Sequence, residues 1–228
     1  MLQATCYALL AQSAMQQAFH FDADPPPSRK ASPAPARPLV DYDMPADKKN
    51  WTGIALVGEA PGADEVRLGH PFVGRSGQLL DKMLAQAGIE RRNSFVGNAF
   101  RFQPPGNKVE HFFISRRAAQ AAKLPIAEEW GAFGSAYCRG EFGGEIENLR
   151  ATLAALKPKI ILALGRTALW ALTGENGLLE KLGKALPCRL VPGVMVIPTF
   201  HPSFILRGNW ARQDEWLSHL SAAAQAAG

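Results

Sequence analysis

Apolar runs separated by polar, glycine-marked turns recur along the chain and set its element order. Gly53-Ile54-Ala55-Leu56-Val57 is unbroken and apolar and leads into Gly58-Glu59-Ala60-Pro61-Gly62. That is the pattern of a strand buried on both faces and opening into a tight turn. From Gln78 to Ile89, Leu79, Leu80, Met83, Leu84 and Ala87 recur at helical spacing on one face. Ser94-Phe95-Val96-Gly97 predicts a second strand, delivering Asn98. A helix near Glu145 to Leu156 precedes a third strand, Lys159 to Leu164, ended by Gly165. Arg166 to Leu172 reads as a helix, and Val194 to Ile197 as a fourth strand delivering Thr199-Phe200-His201. Asn209 to Ala226 reads as a C-terminal helix bearing Trp210 and Trp216. Strands alternating with helices imply an α/β fold with a parallel sheet covered on both faces. The expectation is a three-layer α/β/α sandwich with a central four-stranded parallel sheet.

Upstream of the first strand the pattern changes. Leu2 to Phe19 reads as a short amphipathic helix with Tyr7, Leu9, Leu10 and Met15 as candidate buried positions. Asp22 to Lys49 is rich in proline and poor in apolar residues, so it cannot form a core and reads as an extended tether. The organisation is therefore an N-terminal helix (1–21), a linker (22–49) and one domain (50–228).

The 228 residues suffice for one sizeable core, and 47% hydrophobic with 20% charged residues is ordinary for a globular protein. A formal net charge of +5 is compatible with a polyanionic partner without demanding one. Cys6, Cys138 and Cys188 are far apart and form no CxxC pair, which suits a reducing compartment. No run has the length of a membrane span, and no Lys or Arg precedes Ala18 to begin a signal peptide. A cytoplasmic location is expected.

Three predicted strands end in a candidate functional group, Glu59, Asn98 and His201, all on one rim of the sheet, where open α/β sheets bind ligands. Gly74-Arg75-Ser76-Gly77 stands just before a helix, so its amides can hold a phosphate. A side-chain amide such as that of Asn98 offers a donor and an acceptor in one plane. Each feature taken singly has a plainer reading: a Gly-rich connector, a turn-capping Asn, a structural His, a core Phe72.

Together these stretches resemble the family 4 uracil-DNA glycosylases. The likeness is carried by Gly58-Glu59-Ala60-Pro61-Gly62, Gly69-His70-Pro71-Phe72-Val73-Gly74, Asn98 with its following Pro104-Pro105-Gly106-Asn107, and His201-Pro202-Ser203. The resemblance implies that Glu59 activates water, that His201 stabilises the departing base, and that Asn98 reads uracil. It also implies that Ala60, Glu65 and Phe72 line the base pocket, with Phe72 stacking on the base. Gly74, Ser76, Ser203 and Arg207 would lie near phosphates, and Leu206 would act as a wedge. The expected partners are uracil-containing DNA and free uracil as product, with no membrane and a monomeric protein.

The family usually holds a [4Fe–4S] cluster on four cysteines. Here Phe102 stands in place of the third, only Cys6 represents the first pair, and Cys138 matches the fourth after an expanded interval. No cofactor is therefore expected. Residues 109–137, with Phe112, Phe113, Trp130, Arg116, Arg117 and Lys123, form an insertion that either contacts DNA or packs where the cluster would be. The implied activity is hydrolysis of the glycosidic bond of flipped deoxyuridine, leaving an abasic site. The rival readings are a glycosylase for hypoxanthine or xanthine, and a non-catalytic DNA- or nucleotide-binding protein.

Overall fold

The computed structural model describes residues 38–228; the expected N-terminal helix and most of the linker lie outside the described residues. The chain enters the sheet through β1 (Ile54–Gly58), then forms α1 (Ala63–Leu68), α2 (Arg75–Gln86) and β2 (Phe95–Asn98). Residues 109–138 build a small antiparallel sheet from β3 (Phe113–Ser115), β4 (Ala132–Phe133) and β5 (Ala136–Cys138), with α3 (Arg116–Ala122) between the first two. There follow α4 (Gly143–Leu156), β6 (Ile160–Leu164), α5 (Arg166–Thr173), α6 (Leu178–Lys181), β7 (Leu186–Pro187), β8 (Met195–Thr199), α7 (Pro202–Leu206) and α8 (Gln213–Ala227).

The main sheet runs β2-β1-β6-β8-β7. Its first four strands are parallel, as expected. The fifth, β7, is antiparallel to β8, pairing Leu186 with Val196 and Pro187 with Met195. The sheet thus has five strands rather than four. Two residues containing a proline give no periodicity from which to read a strand.

Alternation along the strands makes the layers. Ile54, Leu56, Ile160, Leu162 and Leu164 face one side, where Leu80, Met83 and Leu84 of α2 and Trp216, Leu220 and Ala223 of α8 cover them. Ala55, Val57, Ile161 and Ala163 face the other, against Ile146, Leu149 and Leu153 of α4 and Ala168 and Trp170 of α5. The inserted segment adds Phe112, Phe113 and Ala127 to this second layer, with Cys138 just after it. There Phe100 stacks on Phe112 at 4.1 Å between ring centres, and Phe113 meets Trp170 edge-on at 5.1 Å.

The free edge of β2 is covered. The chain from Leu39 to Ala46 runs antiparallel to it, bridging Leu39 to Phe102 and Asp43 to Val96. The amide of Val40 donates to the Arg101 carbonyl at 2.9 Å, and Asp43 and Val96 exchange a pair of backbone bonds. Among the described residues no helix is long and apolar enough to cross a membrane.

Candidate active site

Strand register decides what meets at the rim. Gly58 is level with Asn98 across the β1–β2 pair, and Leu164 is level with Thr199 across β6–β8. The residues that follow these strand ends, Glu59, Gly165 to Thr167 and His201, therefore emerge at the same carboxyl edge. Glu59 and His201 open on a cavity of about 310 Å³, whose lining also includes Ala60, Glu65, Phe72, Ser76, Asn98, Ser203 and Arg207. Gly74 and Leu206, singled out from sequence, do not line it. Gly74 instead caps α2, and Leu206 closes α7. Pro104 and Asn107 complete part of the wall.

Gly58 makes the convergence possible. A Cβ there would lie 2.4 Å from both Asn98 Oδ1 and the Phe72 ring, far inside van der Waals contact, so glycine is required. Asn98 is 4% exposed, and its buried Oδ1 has no hydrogen-bond partner among the described residues. A buried acceptor left unpaired costs free energy, so this site is complete only when something donates to it.

Glu59 is anchored from the first turn of α5, where the Thr167 hydroxyl donates to Glu59 Oε2 at 2.6 Å. Burial pushes the Glu59 carboxyl above its ordinary range; the Thr167 bond and the charges of Arg166 and Arg207 pull it back, while Glu110 raises it. Thr167 is fully buried and was invisible to sequence reasoning. The signal that would have found it is its place two residues past Gly165, which closes a core strand just as Gly58 closes β1.

His201 is held in one tautomer. The Ser203 amide donates to Nδ1 at 3.2 Å, and the Ser203 hydroxyl lies 2.8 Å from the same nitrogen. Arg207 in turn donates to that hydroxyl at 3.1 Å. Arg207 has no acceptor to offer, so the Ser203 proton points to Nδ1 and the ring proton must be on Nε2. Burial, and secondarily the Arg207 charge, push the imidazole down to about 4, so it is neutral near pH 7. Ser203 thus engages the histidine directly, and Arg207 acts on it through the Ser203 hydroxyl and through its charge.

Glu65 stitches the loops. Its carboxylate accepts the Gly62 amide at 3.1 Å and the Gly74 amide at 3.5 Å, joining the turn after β1 to the start of α2. What results is a cavity with an unpaired amide oxygen, a neutral histidine donor and a buried carboxylate on its walls.

A model of the uracil DNA glycosylase superfamily matches residues 49–224. The chain belongs to the uracil DNA glycosylase superfamily. Similar proteins include the type-4 uracil-DNA glycosylase of Thermotoga maritima, 34% identical over 157 residues, covering 68% of this chain and 67% of that protein. The type-4 enzyme of Pyrobaculum aerophilum is 33% identical over 173 residues, covering 72% and 73%. That of Archaeoglobus fulgidus is 29% identical over 175 residues, covering 71% and 70%.

Against the [4Fe–4S] centre that the family 4 resemblance raises, the described residues of this superfamily member offer a poor fit. They contain no group of three His, Cys, Asp or Glu placed to hold a metal. Cys138 is buried, and burial pushes its thiol up to about 12. Cys188 is also buried, with its thiol pushed up by burial. A [4Fe–4S] centre takes four cysteine ligands, whereas the described residues hold only Cys138 and Cys188, and aromatic packing occupies the layer around Cys138.

Proposed function

We propose that the protein is a uracil-DNA glycosylase, a hydrolase of N-glycosyl bonds, that acts in base-excision repair. The observation that carries the reading is the unpaired Asn98 amide on the wall of this cavity. Uracil presents N3–H as donor and O4 as acceptor, so one fixed amide satisfies both, and the base supplies what Asn98 Oδ1 lacks. The deoxyuridine is extruded from the helix into the cavity, since its glycosidic bond cannot be reached inside a duplex. Phe72 stacks on the base, and Ala60 and Glu65 line its pocket.

Chemistry follows from the other two walls. As the C1′–N1 bond breaks, its electron pair passes to uracil and negative charge grows on O2. The Nε2–H of neutral His201 donates to that oxygen, a preorganised contact of the kind that contributes ~10²–10³ in rate. The sugar becomes oxocarbenium-like, and the Glu59 carboxylate stabilises it and takes the proton of the attacking water. The oxygen of water bonds to C1′, leaving an abasic site, and the proton taken by Glu59 passes on to the uracil anion, giving free uracil and the carboxylate again. Ser76, at the first turn of α2, and Arg207 lie where the flanking phosphates approach. The enzyme acts as a monomer in this reading, and the free cysteines 138 and 188 suit the reducing cytoplasm.

A labelled oligonucleotide with one uracil, incubated with the protein and then treated with alkali, tests this. The expected result is a break at the uracil position with release of free uracil, and none in cytosine- or thymine-containing controls. Absence of an alkali-labile site at saturating protein would refute the activity. Cleavage of hypoxanthine or xanthine substrates in preference to uracil would reassign the base.

A further inference from the structure

Phe72 occupies a backbone conformation that bulky residues rarely take. Its φ is 53°, in the left-handed region where Cβ crowds the carbonyl. Such conformations persist only where the surroundings over-determine them, and they gather at ligand clamps. One constraint lies beneath it: a Cβ on Gly77 would fall 1.7 Å from the Phe72 carbonyl oxygen, so the first turn of α2 admits that carbonyl only because residue 77 is glycine.

The second constraint is Arg91, in the 3₁₀ turn before β2, with 21% of its side chain exposed. It donates one guanidinium nitrogen to the Phe72 carbonyl at 3.1 Å and the other to the Pro71 carbonyl at 2.7 Å. The guanidinium is itself fixed from behind. Asp81 of α2 lies 2.7 Å away, and Asp43, from the strip covering β2, lies at 3.7 Å. Asp43 also meets His70, two residues before Phe72, at 2.8 Å. Three separate pieces of chain thus converge on one planar cation, whose donors end on the two carbonyls that set the Phe72 backbone. Only a rigid fork reaches both carbonyls at once; a lysine ammonium keeps the charge without that geometry.

We propose that Arg91 is a positioning residue that holds Phe72 at the height where it stacks on the extruded base. The inference rests on the reading of Phe72 as the stacking residue of a uracil-DNA glycosylase. Arg91 acts through Phe72 and touches neither base nor sugar. Its removal therefore matters only while the ring is present.

A double-mutant cycle tests this. Excision of uracil from an oligonucleotide, and inhibition of that excision by free uracil, are measured for the parent, Arg91→Met, Phe72→Ala and the double variant, with thermal unfolding alongside. Stacking losses of this kind predict that Arg91→Met lowers kcat/KM about tenfold and weakens inhibition by free uracil by a similar factor. In the Phe72→Ala background the same substitution changes both by less than about twofold, because the element it positions is gone. Arg91→Lys recovers thermal stability through Asp81 and Asp43 but not uracil affinity, and it carries the test alone should Arg91→Met not fold. An equal loss with and without the Phe72 ring, or full activity in the folded Arg91→Lys protein, overturns the assignment. A parent that releases no uracil sinks the activity instead, a separate outcome visible before any variant is made.

Discussion

Asn98 and Phe100 are two residues apart and both buried, yet their surroundings follow different rules. Around Phe100 the neighbours are rings: Phe112 stacked at 4.1 Å, Phe113 edge-on at 5.8 Å and Phe142 edge-on at 6.4 Å. Phenylalanine has no polar atom to satisfy, so this region gains from burial alone. Around Asn98 the neighbours are an unpaired acceptor of its own, a carboxylate and an imidazole whose burial disfavours their charged forms. One region stabilises the fold; the other draws on that stability to keep polar groups poised for a substrate. The inserted segment therefore adds apolar packing to one layer of the core, beside a rim that costs folding free energy.

Breaking the first region should produce the largest effect. Phe112→Ala removes a ring from the stack and should destabilise the protein by ~3–5 kcal/mol in denaturant unfolding. The folded fraction should still excise uracil within a few-fold of the parental rate. A loss of activity without a matching loss of stability would show that the stack belongs to the site after all.

The second region should respond the other way. His201→Ala should slow single-turnover excision by ~10²–10³ while leaving the unfolding midpoint near the parental value. Glu59→Gln should likewise abolish most activity, yet raise the midpoint at neutral pH. The sign follows from burial: the folded carboxyl has a raised pKa, so the unfolded chain gives up its proton first. Stability therefore falls as pH rises between the two values. The amide avoids that loss, so the gain should shrink as pH drops below the folded pKa. A Glu59→Gln protein less stable than the parent at pH 7 would contradict this account.

A smaller effect sharpens the comparison within the pocket. Thr167→Val deletes the bond that lowers the Glu59 pKa, leaving burial and the charges of Arg166, Arg207 and Glu110 in place. Activity requires ionised Glu59, so the acidic limb of the kcat/KM profile should move to higher pH, and Thr167→Ser should return it. An unmoved limb would mean that Thr167 only fills space. The smallest effect is expected from Cys138→Ser. The purified protein should be colourless and free of stoichiometric iron, and this substitution should leave excision within a few-fold of the parent. Visible cluster absorption lost in Cys138→Ser would reverse that expectation.

The rim was legible because each group closes a strand or follows it within two residues, so that finding Ile54–Gly58, Phe95–Asn98 and Met195–Thr199 also finds Glu59, Asn98 and His201. The layers were legible for the same reason. What escaped was built from pieces too short for periodicity: β7, and the two- and three-residue strands of the insertion. Thr167 and Arg91 escaped because their partners, Glu59 and the Pro71 and Phe72 carbonyls, are 108, 20 and 19 residues away in sequence. Register and loop conformation create those contacts, and neither is written in local composition.

The strip from Leu39 to Ala46 has a consequence for the protein's behaviour in concentrated solution. It occupies the hydrogen-bonding edge of β2, where Asp43 and Val96 exchange amide and carbonyl. An uncovered edge is a template for a strand from another molecule. Cleavage or truncation just before the 3₁₀ turn Lys48–Asn50 would expose that row of donors and acceptors, with Phe95 and Val96 behind it. The shortened chain would be expected to associate edge to edge and precipitate, though every group on the cavity wall would still be covalently present. In that sense the residues before the first strand guard the colloidal life of the enzyme.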